Sequence, residues 1–75
     1  MKKKISALNQ KRLDTIGCYL RELRLSENLL QKEIETDVHR NTISRIEHAK
    51  NFNLLTLFEI CDFYGIQPSE LLDIL

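Results

Sequence analysis

Arg40, Asn41, Thr42 and Arg45 fall within two helical turns of one another, and each carries a group that can read the edge of a base pair. The planar fork of arginine matches the two acceptors of guanine, and the amide of asparagine matches the acceptor and donor of adenine. Threonine offers a methyl to thymine and a hydroxyl to either edge. Ile43 and Ile46, three apart, supply the apolar side that such a helix buries. The spacing therefore predicts a helix from about Arg40 to His48 whose outer face, Ser44 included, is made of hydrogen-bonding groups. A helix of that width fits the DNA major groove, about 12 Å across. His39, next to Arg40, stands where a ring nitrogen could reach a backbone phosphate.

Such a helix works only if other elements hold it. Leu13, Ile16, Leu20 and Leu23 follow steps of three and four, which predicts a first helix over 13–23. Asn28 then breaks the pattern as a residue that tolerates the left-handed conformation. Leu30 and Ile34 predict a short second helix, with a cap at Asp37 or His39 ahead of the third. Asn53 is a good N-cap for an apolar run closed by Gly65, and Pro68 with Ser69 opens a last short helix carrying Leu71, Leu72, Ile74 and Leu75. No strand-like alternation, repeat or low-complexity segment interrupts this reading, so the expected architecture is all-α, five helices with short connections.

The chain has 75 residues, enough for one small core, and 43% of them are hydrophobic. No apolar run approaches the roughly 20 residues that span a bilayer. The basic N-terminus lacks the apolar segment of a secretory signal, so a soluble, cytoplasmic protein is expected. Eleven Lys and Arg balance eleven Asp and Glu, which argues against a generic polyanion binder. The balance hides an asymmetry: Lys2, Lys3, Lys4, Lys11 and Arg12 have no acid among them, while Glu59, Asp62, Glu70 and Asp73 have no base among them. Residues 1–12 read as a basic arm and 13–75 as the folded domain. Cys18 and Cys61 fit reduced thiols better than a disulfide framework. With His39 and His48 they show no metal-ligand spacing, so neither metal nor cofactor is expected. Enzymatic chemistry lacks its parts: no nucleophile is paired with a base, and two glycines cannot make a phosphate-cradling loop.

The segments Leu20-Arg21-Glu22-Leu23-Arg24, Gln31-Lys32-Glu33-Ile34 and Thr42-Ile43-Ser44-Arg45-Ile46-Glu47 carry a family resemblance, continued by Leu54-Leu55-Thr56-Leu57 and by Gly65 to Leu72. From about Ile16 to Leu72 the chain resembles the Cro/repressor-type helix-turn-helix family, also called the xenobiotic-response-element or XRE family. The resemblance implies a lambda-repressor-like domain that regulates transcription by binding operator double-stranded DNA as a homodimer. It assigns Arg40, Asn41, Thr42 and Arg45 to bases, and Gln31 and Lys50 to phosphates, with His39, Ser44 and Asn51 beside them. Arg24 and Glu47 match a structural ion pair between the first and third helices. Chains of this size in the family include phage repressors, restriction-modification controllers and antitoxins, so a partner protein such as a toxin is the alternative to operator binding.

Three departures stand out. The chain is about two residues short between Ile34 and Val38, Leu30 replaces the usual Ser or Thr cap, and Ala49 stands where the family commonly has glycine. From their apolar character alone, Phe58, Leu71, Leu72, Ile74 and Leu75 are expected at the dimer interface.

Overall fold

Ser6 opens the first element. Its hydroxyl accepts the Asn9 amide at 3.1 Å, the work of an N-cap, and the residues that follow (Ala, Leu, Gln, Lys, Arg) are strong helix formers. The structure, a computed structural model, describes residues 5–34 and 40–75. Helix α1 spans Ala7–Ser26, α2 spans Arg40–Glu47, α3 spans Leu54–Tyr64 and α4 spans Pro68–Asp73. Residues 7–12 of the expected arm are thus the first turns of α1, which starts six residues ahead of Leu13; residues 1–4 lie outside the described ones.

Among the described residues the chain is all-helical, with four α-helices and one 3₁₀ turn, Gln31–Glu33, where a second helix was expected. Leu30 has no side-chain oxygen to cap that turn. Instead the Glu33 carboxylate reaches back to the Leu30 amide at 2.8 Å, the half of a capping box that does not depend on a Ser or Thr. Residues 35–39, including Asp37 and His39, lie outside the described residues.

Three helices stop by the same device, a residue in the left-handed region whose neighbours' amides fold back onto the last carbonyls. At the end of α1, Asn28 has φ 57° while the amides of Asn28 and Leu29 donate to Leu25 and Arg24. After α2, Ala49 has φ 62° while the amides of Ala49 and Lys50 donate to Ile46 and Arg45 at 3.0 and 2.8 Å. After α3, Gly65 has φ 69° while the amides of Gly65 and Ile66 donate to Asp62 and Cys61. Only the glycine adopts this conformation without steric cost. Helix α3 begins as expected at Asn53, whose side chain accepts the Thr56 amide at 2.8 Å, and Pro68 fills the first turn of α4.

The core joins Ile16 and Leu20 of α1, Ile34, Ile43 and Ile46, Leu57, Ile60 and Cys61 of α3, and Leu71 of α4. Tyr19, Phe52, Phe63, Tyr64 and Ile66 pack around it. Leu71 is wholly buried, which corrects its expected place at a dimer interface: it faces the monomer's own core. Phe58, Leu72, Ile74 and Leu75 are exposed, as are Leu54 and Leu55 at the start of α3. Cys18 is exposed and Cys61 buried, both as free thiols; burial pushes the Cys61 thiol above its ordinary range. Among the described residues no helix is long and apolar enough to cross a membrane.

Candidate nucleic-acid interface

Helix α2 is amphipathic by construction. Ile43 and Ile46 are buried, 3% and 2% exposed, and fix which side of the helix meets the core. Arg40, Asn41 and Arg45 then lie exposed on the other side, while Thr42 and Ser44 are half-buried at its margins. Thr42 therefore borders the outer face. The His48 ring nitrogen Nδ1 lies 2.7 Å from the Ser44 carbonyl, which ties that side chain to the last turn of the helix.

Fixing the rotation of α2 is the task of its neighbours. Arg24 and Glu47 meet in two parallel hydrogen bonds, Nε to Oε2 and Nη2 to Oε1, each 2.8 Å. The pair is largely out of water, with 9% and 3% of the two side chains exposed. Arg24 also donates from Nη1 to the Leu29 carbonyl at 2.8 Å, so one guanidinium binds α1, the turn after it and α2. These hydrogen bonds with Glu47 hold the Arg24 proton above its ordinary value, against the desolvation that would lower it. Gln31 Nε2 joins the same carboxylate at 3.2 Å. Gln31, matched above to a phosphate-gripping position, is thus half-buried on Glu47 in the free protein.

Two further fastenings had no place among the sequence expectations. Gly17 packs α1 directly on the backbone of α2, and a Cβ there would collide with the Ile46 carbonyl oxygen. A glycine inside a helical pattern is the available signal for such an approach. Gln10 Nε2 donates to the Ala49 carbonyl at 3.1 Å and so ties the start of α1 to the exit of α2; nothing distinguishes Gln10 from an ordinary surface glutamine in the sequence.

Beyond that exit Lys50 and Asn51 are exposed, the Asn51 side chain accepting the Phe52 amide at 2.9 Å. His39 lies outside the described residues. Behind the ion pair, the Tyr64 hydroxyl is buried with no hydrogen-bond partner, and burial, aided by the negative charge of Glu47, pushes its pKa up to about 12.

The arrangement is a short helix held by its apolar side and its C-terminal end, with guanidinium and amide groups turned outward. That is the geometry in which a side-chain fork can meet a base edge. Comparisons with curated proteins and with solved structures give no match. A helix-turn-helix family model, of the XRE type, matches residues 20–71, from the middle of α1 through Leu71 of α4. With most of its length covered, the chain belongs to the XRE-type helix-turn-helix family of DNA-binding proteins.

Proposed function

We propose that the chain is a sequence-specific transcription regulator that binds operator double-stranded DNA as a homodimer, one α2 in the major groove of each half-site. The observation that carries this reading is the polar face of α2, Arg40, Asn41 and Arg45, exposed above the buried Ile43 and Ile46. Arg40, Asn41, Thr42 and Arg45 read bases. Lys50, Asn51 and Ser44, with His39, take backbone phosphates, and Gln31 joins them by leaving Glu47. Exposed Phe58, Leu72, Ile74 and Leu75 support self-association, because apolar surface of this kind gains from being covered. No enzymatic step and no cofactor belongs to this function, and its place is the cytoplasm.

Selection of binding sites from a randomised duplex pool tests the reading. The wild-type chain should enrich a two-fold symmetric site with half-sites about one helical turn apart. Arg40→Ala should lose about 1–3 kcal/mol on that site and relax preference at one base pair. Failure to enrich any sequence would refute it.

The same exposed leucines also suit a second reading, a module or antitoxin that acts mainly by binding a partner protein such as a toxin. Leu72→Asp with Leu75→Asp separates the two. A drop in both mass and DNA affinity supports the homodimer, whereas a wild-type chain that is already monomeric and selects no duplex supports the partner-binding module.

A further inference from the structure

We infer that the first turns of α1 carry an additional binding site for a backbone phosphate of double-stranded DNA, beside the loop that follows α2. The inference rests on the DNA-binding reading above and adds a segment that lies ahead of the family match, which begins at residue 20. Ile5, Ser6, Asn9, Arg12 and Leu13 of the N-terminal segment and Asn51 of the loop enclose a surface cleft of about 390 Å³. Its walls are joined across the fold by the hydrogen bond from Gln10 to the Ala49 carbonyl, two residues from Asn51.

The donors in this cleft are held in place. Asn9 Oδ1 accepts from Arg12 Nη1 at 2.8 Å, which leaves the remaining guanidinium N–H groups for an anion. Asn51 Oδ1 is occupied by the Phe52 amide, so the group that side chain has left is its NH₂ donor. No carboxylate is among the described lining residues, and in the sequence residues 1–12 hold five bases without an acid. Arg12 is the charged side chain among the described lining residues and gives the cleft its positive charge. The ligand follows from position as well as charge. The cleft shares Asn51 with the segment just past the C-terminal end of α2, and a helix lying in the major groove has a sugar-phosphate strand at that end. Arg12 extends contact along that strand without touching a base.

The test compares Arg12→Gln with Arg45→Ala. Affinity is measured by fluorescence anisotropy against salt, on a duplex the wild-type chain selects from a randomised pool and on an unrelated duplex of equal length. Each lost phosphate contact lowers the salt slope by about 0.9, so a homodimer that loses one in each protomer drops by about 1.8, which is about sixty-fold in affinity at 0.1 M monovalent salt and about eighteen-fold at 0.2 M. Arg12→Gln should show that loss equally on both duplexes, with unchanged site preference and unchanged melting temperature. A neutral methylphosphonate at the contacted position should abolish the difference between Arg12→Gln and wild type. If Arg45→Ala loses site preference while Arg12→Gln keeps wild-type affinity and slope, the cleft is not a phosphate site and the DNA-binding reading stands. If wild type binds neither duplex above background, the DNA-binding reading fails and this site with it.

Discussion

Replacing Ala49 by glycine should make the protein more stable, an uncommon outcome for a substitution beside a functional helix. Ala49 has φ 62°, in the left-handed region, where a Cβ costs about 1–2 kcal/mol. Glycine removes that cost and returns about 0.4–1 kcal/mol through the greater freedom of the unfolded chain. The two backbone hydrogen bonds that close α2, from the residue-49 and Lys50 amides, and the bond from Gln10 to the residue-49 carbonyl need no side chain at position 49 and survive the change. The net gain is then about 0.5–1 kcal/mol, roughly 2–8 °C in melting temperature for a domain of this size. Gly65→Ala is the mirror experiment. Its φ is 69° and nothing lies within 4 Å of the added Cβ, so its cost is conformational alone, about 1 kcal/mol of destabilisation. Thermal melts of both variants decide the matter. A melting temperature of Ala49→Gly at or below wild type, with Gly65→Ala destabilised as expected, would show that the αL strain at Ala49 is not what the geometry implies.

Gly17→Ala forces a methyl into the Ile46 carbonyl; overpacking of this kind costs about 1–3 kcal/mol, and circular dichroism melts should show it. Glu47→Gln leaves the Arg24 guanidinium facing a neutral amide in a site largely closed to water. The loss should reach up to about 3–5 kcal/mol, while replacing both partners by apolar residues should cost less than either single change; urea denaturation of the three variants checks the order. Tyr64→Phe removes a buried hydroxyl with no partner and should leave stability unchanged or raise it by about 1 kcal/mol. The folded Tyr64 phenol, pushed up to about 12, holds its proton more tightly than the unfolded one near 10. Its contribution is therefore full below pH 10 and lost between pH 10 and 12. Wild type should lose more stability than Tyr64→Phe across that window, and parallel declines would contradict the assignment.

The parts of this fold that could be read from sequence are those whose signals are chemical and local. Asn53, Gly65 and Pro68 each do something few other residues can do; Asn53 and Gly65 begin and end α3, and Pro68 begins α4. The outward face of α2 was legible because two isoleucines three apart leave only one way to turn the helix. The start of α1 was not, since Leu8 is exposed and its first turns carry no apolar stripe to announce them. Nor could the buried Leu71 be told from the exposed Leu72, because a helix of six residues is too short for periodicity to choose a side. The second helix is one 3₁₀ turn, Gln31–Glu33, among the described residues, and the two-residue shortfall expected between Ile34 and Val38 falls just past it, where residues 35–39 lie outside the described ones. Ala49 appeared only as a departure from that pattern, since a helix-forming residue carries no sign of a left-handed conformation.

The fastenings from α1 share one property that bears on recognition. Gln10 holds the Ala49 carbonyl, Gly17 abuts the Ile46 carbonyl and Arg24 grips the Glu47 carboxylate, so all three act at the C-terminal end of α2. Arg40 and Asn41 stand at the other end of an eight-residue helix, about 12 Å away at 1.5 Å per residue. A tilt of about 5° around the held end moves them by about 1 Å, enough to open a bidentate contact whose hydrogen bonds span only about 2.7–3.2 Å. Small changes on α1 are then amplified at the residues proposed to read bases, while Ile43 and Ile46 still fill the core. Gly17→Ala should accordingly weaken discrimination between preferred and unrelated duplexes even at temperatures where it remains folded. Discrimination equal to wild type in the folded variant would show that α2 keeps its pose without a close fit to α1.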